Sequence, residues 1–225
     1  MWKKRCFYFC VLIVCSINLF ALRVSSASIS SNSLSDEEKD SFLDRICWEL
    51  IDTDSHKSPI CCFDVAEDGT IALAIASNAI FVYDEHGVFQ YGCSFRADGD
   101  FVIEFDEDKL ILHFLRGNTM LFVDDSGACV DIQKAVDPVQ HVILINKIRN
   151  QTTKAIDEKT YSLERDLNIG DFYSRFIIDE NGKRMVLYDV TSDHIVKQIM
   201  LVASPICFFA FIFYGLAKNK TKKNN

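Results

Sequence analysis

The sequence predicts a mainly β domain of antiparallel meander hairpins set between two apolar end segments. Three observations predict it. From Ile60 to Val130, short apolar or alternating runs are separated by turns rich in Asp and Gly. Part of that pattern returns after 40 residues, from Ile80 to Met120. All 32 acidic residues lie between Asp36 and Asp193, so the ends differ in kind from the middle.

At the N-terminus, Lys3, Lys4 and Arg5 precede an uncharged run from Cys6 to Leu22, followed by Ser25, Ser26 and Ala27. A basic start, an apolar stretch and small residues are the parts of a secretory signal. Residues 1–27 therefore read as a signal peptide or, if uncleaved, a signal anchor, and both put the next residues on the same side of a membrane. The serine-rich stretch 28–35 reads as a flexible tether.

The first predicted element is an amphipathic helix. Ser35 and Glu38 have capping-box spacing, Asp36 and Glu37 fill the first turn, and Phe42, Leu43, Ile46 and Leu50 recur on one face. Ile46 to Ile51 can also be read as a strand. Eight strands follow: Ile60–Val65, Ile71–Ala76, Ile80–Tyr83, Val88–Cys93, Phe101–Phe105, Leu110–Phe114, Met120–Val123 and Cys129–Ile132. Glu67-Asp68-Gly69, Asp84-Glu85-His86-Gly87 and Asp124-Asp125-Ser126-Gly127 lie between strands. Asp can bond the turn backbone and Gly supplies positive φ. His141 to Ile148 reads as a further strand, Lys154 to Asp166 as an irregular or partly helical insertion, and Phe176 to Tyr188 as a last hairpin.

The C-terminal anchor is predicted from residues 196–217. Ile199 to Ala217 carries no charge, and at 1.5 Å per residue it spans about 28 Å, the thickness of a bilayer's hydrocarbon core. Ser204, Pro205 and Gly215 interrupt it only as membrane helices tolerate. Lys218, Lys220, Lys222 and Lys223 follow, so the positive-inside rule assigns tail 218–225 to the cytoplasm and the acidic domain 36–194 to the non-cytoplasmic side of the cell membrane. The lipid bilayer is thus an expected partner.

Ile80-Phe81-Val82-Tyr83-Asp84-Glu85-His86-Gly87 matches Met120-Leu121-Phe122-Val123-Asp124-Asp125-Ser126-Gly127, and the strands Ile71–Leu73 and Leu110–Leu112 precede them in parallel. Phe176-Ile177-Ile178-Asp179-Glu180-Asn181-Gly182 echoes the same hairpin. In these residues the chain resembles β-propeller blade repeats of the NHL-like, six-bladed type, whose period is about 40 to 45 residues. Only two or three units fit, whereas a closed propeller needs at least four blades. The resemblance thus implies an incomplete, open set of meanders, with edges covered by the flanking helix or by a partner chain.

Chemistry is sparse. The middle holds 15 Lys and Arg against 32 Asp and Glu, the wrong sign for neutralising phosphates, so nucleic acid is not an expected partner. Asp98-Gly99-Asp100, Asp106-Glu107-Asp108 and Asp124-Asp125 do not have EF-hand spacing. Cys47, Cys61, Cys62, Cys93 and Cys129 show no zinc spacing and read mostly as buried free thiols, with room for one disulfide. The five histidines are scattered, and a lone histidine is more often a surface or core residue than a ligand. No nucleophile elbow, Walker loop or dinucleotide fingerprint is present. No catalytic, metal or cofactor-binding residue is assigned, and no cofactor is expected.

The functional expectation is a membrane-anchored interaction or sensing module with a protein partner at the membrane surface. One alternative is a cell-envelope hydrolase in which folding brings a Ser or carboxylate to His86, His113 or His141. The other is an accessory subunit of a membrane complex that packs through Phe208, Phe209, Phe211 and Phe213.

Overall fold

The computed structural model describes residues 29–55, 58–107, 109–165 and 172–191. The predicted signal segment and C-terminal anchor lie outside these. Among the described residues no helix is long and apolar enough to cross a membrane.

Alternating apolar strands and tight turns fold into three antiparallel meanders. Sheet I is built from β3 (Ile60–Val65), β4 (Ile71–Ile75), β5 (Ala79–Tyr83) and β6 (Phe89–Ser94). Sheet II follows with β7 (Phe101–Asp106), β8 (Lys109–Phe114), β9 (Thr119–Val123) and β10 (Cys129–Ala135). Sheet III holds β11 (Thr153–Ile156), β12 (Lys159–Glu164), β13 (Arg175–Glu180) and β14 (Lys183–Asp189). The predicted repeat marks equivalent hairpins. Asp84 accepts from the backbone N–H of His86 and Val88 at 2.9 and 2.8 Å; Asp124 accepts from Ser126 and Ala128 at 3.0 and 2.9 Å. Gly87 and Gly127 close the two turns at φ +81° and +82°, where a side chain would be strained.

The N-terminal segment seals the outer edges of two sheets. Of the Ser-rich stretch read as a tether, Ser31–Ser33 forms β1, which pairs with β10 and is held by Ser33 Oγ donating to Asp131 at 2.8 Å. Its serines thus serve as an edge strand rather than as free chain. The predicted amphipathic helix is α1 (Asp36–Ile46), where Ser35 N–H donates to Glu38 at 3.0 Å. It ends at Cys47 in the left-handed conformation, and Glu49–Ile51 then forms β2 on the edge of β6.

The sheets stack out of chain order. Ile60, Phe63, Leu73, Ile75 and Phe81 on one face of sheet I cluster with Tyr161, Leu163 and Phe176 of sheet III. Cys62, Ala72, Ala74, Ile80 and Val82 on its other face cluster with Ile103, Leu112 and Leu121 of sheet II. Sheet I is therefore the middle layer, and β4 and β5 are buried at every residue. The chain must cross from sheet II past sheet I to reach sheet III. It does so through α2 (Pro138–Arg149), which packs on the innermost strands β7 and β3.

Two segments differ from the sequence expectation. His141 to Ile148 is helical: Asp137 caps the helix by accepting from Val139 and Gln140 N–H, and Pro138 occupies its first turn. Inside a short continuous apolar run, period alone does not separate helix from buried strand. Lys154 to Asp166, expected to be irregular or partly helical, contains the β11–β12 hairpin; its two-residue turn relies on Asp157 at φ +50° and has no Gly. The expected open, propeller-like set of meanders is what forms. Its free inner edges at β3 and β7 are covered by α2, however, and not by the N-terminal helix.

Candidate functional site

A cleft of about 1360 Å³ opens at one end of the sheets. Its walls come from the β3–β4 turn (Glu67, Asp68), the β5–β6 and β9–β10 turns (Asp84, Asp124, Asp125), the end of β7 (Glu104, Asp106, Glu107) and the end of α2 (Lys147, Ile148). Tyr91, Val82 and Leu110 give it apolar patches. Nine carboxylates line it against three lysines. The Asp and Glu side chains that the turns require for local reasons thus gather on one side of the molecule, which the sequence alone does not show.

The cleft floor ties the three sheets together. Asp64 of β3 accepts from Lys154 Nζ of β11 at 2.6 Å and from the Phe105 N–H of β7 at 2.7 Å. Lys154 also donates to the Val65 carbonyl. Burial pushes the Asp64 carboxyl upward against the opposing pull of Lys154. A pair this well hydrogen-bonded fixes alignment, because each partner left alone would be a buried, uncompensated charge.

Behind the cleft wall lies a second polar chain. Register places Val102, Glu104, Ile111 and His113 on the face of sheet II that meets α2. Glu104 Oε1 is 3.1 Å from His113 Nε2, and His113 Nδ1 is 3.0 Å from His141 Nε2. A carboxylate only accepts, so His113 Nε2 donates to it and His113 Nδ1 accepts from His141 Nε2. His141 Nδ1 is then a bare acceptor, and it is buried without a partner among the described residues. Burial lowers the His141 pKa to about 4, with neighbouring His113 acting the same way. Its place in the first turns of α2, at the positive end of the helix dipole, also favours the neutral ring.

Both histidines are 0% exposed. Glu104 reaches the cleft, but its histidine partners point into the core. A general base must come within hydrogen-bond reach of its substrate's proton, and neither ring does. His86, by contrast, lies on an exposed turn and pairs with its neighbour Glu85 at 3.6 Å.

The five cysteines of the domain are free thiols. Burial raises Cys61, Cys62 and Cys93 to about 12 and Cys129 to about 11, well above the range of reactive thiolates. Among the described residues no group of three or more His, Cys, Asp or Glu is placed to hold a metal ion.

In the sequence His113 and His141 stand 28 residues apart, with no spacing that links them. A usable signal lay in the spacing of His141, Leu144, Ile145 and Ile148, which share a helix face and are all buried. It becomes visible once the segment is taken as a helix.

No protein-family model matches this chain, and no curated protein matches it. Solved structures align with parts of the chain. BamB from Moraxella catarrhalis aligns at 14% identity with TM-score 0.28, covering 56% of this chain and 35% of its own. The WD40 repeats of RRP9 align at 12% identity with TM-score 0.29, covering 72% and 45%. This chain spans less than half the length of either. Neither match assigns a residue or a role, and the class of the fold, an open propeller-like stack of β-meanders, stands on the three antiparallel sheets of five, five and four strands.

Proposed function

We propose that the protein is a non-enzymatic interaction module, anchored in the cell membrane by residues 196–217 with its domain on the non-cytoplasmic side, whose cleft receives a cationic segment of a protein partner. The observation that carries the binding role is the preponderance of carboxylates on a cleft of about 1360 Å³ whose floor is locked by the Asp64–Lys154 pair. An acidic cleft focuses its field and raises the local concentration of positively charged ligands. The patches at Tyr91, Val82 and Leu110 suit the aliphatic stems of Lys and Arg. The anchor is supported by the uncharged run Ile199 to Ala217 and the lysines after it, and the leader role of residues 1–27 by its basic start and apolar core.

The test uses the detergent-solubilised full chain and a fluorescent oligolysine. Salt-sensitive binding is expected, weakened about threefold to tenfold by Glu107→Gln combined with Asp125→Asn, because each removed surface charge accounts for a few tenths to one kcal/mol. Binding unaffected by salt and by this pair of substitutions would remove the cleft from the proposal. Recovery of the full chain in the soluble fraction after cell lysis would remove the anchor.

A further inference from the structure

Strand direction sorts the turns into two ends of the domain. Asp84, Glu107 and Asp124 mark the cleft end, and Lys159 Nζ, donating to the Glu85 carbonyl at 3.4 Å, places the β11–β12 turn of sheet III there as well. Both connections toward the terminal apolar segments leave from the other end. The Ser30 carbonyl accepts from the Val136 N–H at 2.9 Å, next to the β8–β9 turn, whose Asn118 carbonyl accepts from the Ala135 N–H. Val190, just after β14, donates to the Ser174 carbonyl at 2.9 Å, on the side of sheet III away from its two hairpin turns. We infer that this end is a membrane-contacting face, on which Phe172, Val136 and Val139 enter the headgroup layer of the bilayer and hold the cleft pointing away from it.

This role depends on the anchor proposed above and adds a second contact to it. Seven residues separate Thr191 from Ile199, so even at full extension, about 3.6 Å per residue, Thr191 stays within about 30 Å of the apolar run. Exposed apolar side chains sit where the chain is tied down. Phe172, Val136 and Val139 are 44%, 57% and 67% exposed. Phe172 precedes Tyr173, which bridges to Ile60 at the start of β3, whereas Val136 follows β10 at the outer side of sheet II. Apolar points on different sheets, facing one way, suit a flat deformable surface, and Phe and aliphatic residues are what interfacial proteins bury in it.

Charge sets the orientation. At this end Asp98, Asp100 and Glu164 pair with Arg116, Arg149 and Arg175 at 3.8, 3.1 and 3.9 Å. Nine carboxylates against three lysines line the cleft. Losing water costs an unbalanced charge far more than a paired one, so the cleft end stays hydrated and the paired end settles on a zwitterionic surface.

The test places a tryptophan at each end of the full chain, reconstituted in phosphatidylcholine vesicles with or without bromine on the acyl chains near the headgroups. After subtraction of the unmodified chain's signal, Phe172→Trp and Val136→Trp are each expected to lose about half their emission to the brominated lipid, as side chains at interfacial depth do. Val88→Trp, at an equally exposed apolar position on the β5–β6 turn of the cleft end, is expected to lose almost none. Vesicle-bound chain in which Phe172→Trp and Val136→Trp are quenched no more than Val88→Trp would overturn the inference and leave the anchor standing. Blue-shifted emission without bromine quenching would assign the face to a second copy and overturn it equally. A chain that fails to float with the vesicles would remove the anchor, and this face with it.

Discussion

The two faces of the middle sheet meet their neighbours in different ways. Toward sheet III the contact is apolar and aromatic: Phe63 and Phe176 pack edge to face at 5.0 Å, Phe81 lies 6.2 Å from Tyr188, and the tyrosines put their hydroxyls at the rim, Tyr83 on Asp54 at 3.0 Å and Tyr188 on the Ser58 carbonyl at 2.8 Å. Toward sheet II the layer is also apolar, but at the inner strands it carries Asp64, with Glu104, His113 and His141 on the far side of β7 and β8. The difference teaches a division of labour. One interface supplies cohesion; the other holds buried polar groups whose geometry shapes the cleft.

The largest effect should come from the cohesive side. Phe176→Ala removes a ring that is 0% exposed and should cost about 3–5 kcal/mol in urea denaturation. A loss near 1 kcal/mol would mean that sheet III packs loosely on sheet I and would erase the contrast.

Lys154→Met acts on the polar side. Its side chain is about a quarter exposed, so the cost at neutral pH should be about 2 kcal/mol, below the range for a fully buried pair. The sign with pH is distinctive. The Asp64 carboxyl is raised by burial, so its stabilising protonation is fully present below the unfolded pKa and lost as pH rises through the folded one. Removing Lys154 raises it further, so the variant's deficit is smallest in acid and grows with pH. A deficit independent of pH would show that only packing was lost.

His141 gives a subtler effect. Its folded pKa of about 4 lies below the ordinary 6.5. Its contribution is therefore complete above about 6.5 and is lost as pH falls toward 4, with roughly 2 kcal/mol gone by about pH 5. His141→Leu should flatten the stability profile over that window; an unchanged slope would show that another group titrates there.

Smallest of all, Glu107→Gln with Asp125→Asn should leave the denaturation midpoint unchanged while weakening oligolysine binding, because exposed charges contribute little to folding. A large destabilisation would make the cleft part of the scaffold rather than a surface placed on it.

Much of sheets I and II was legible because alternation and Asp-x-x-Gly turns are local. Ile60–Val65 is β3 as read, and Asp84 and Asp124 perform the same turn capping that their repeat implied. Sheet III was harder to read. Its β11–β12 turn uses Asp157 in the left-handed region instead of Gly, so no sequence marker announced it. The helix α2 was hidden for another reason: Val142 to Ile145 is apolar at every position, and a helix covering a sheet can carry the same run as a buried strand.

By itself the sequence determined a local alphabet: most strands of sheets I and II, where Asp and Gly turn the chain between them, and that the acidic residues all lie between two basic, apolar end segments. These follow from periodicity and residue chemistry within a few positions. Tertiary structure alone decided the rest. It put sheet I between its neighbours out of chain order, carried α2 across the inner strands, joined Asp64 to Lys154 over 90 residues and His113 to His141 over 28, and left β14 as the one outer edge without a fifth strand among the described residues. The physical reason is that such contacts are chosen by which apolar faces can bury one another. That competition runs over the whole chain and leaves no mark at any single stretch of it.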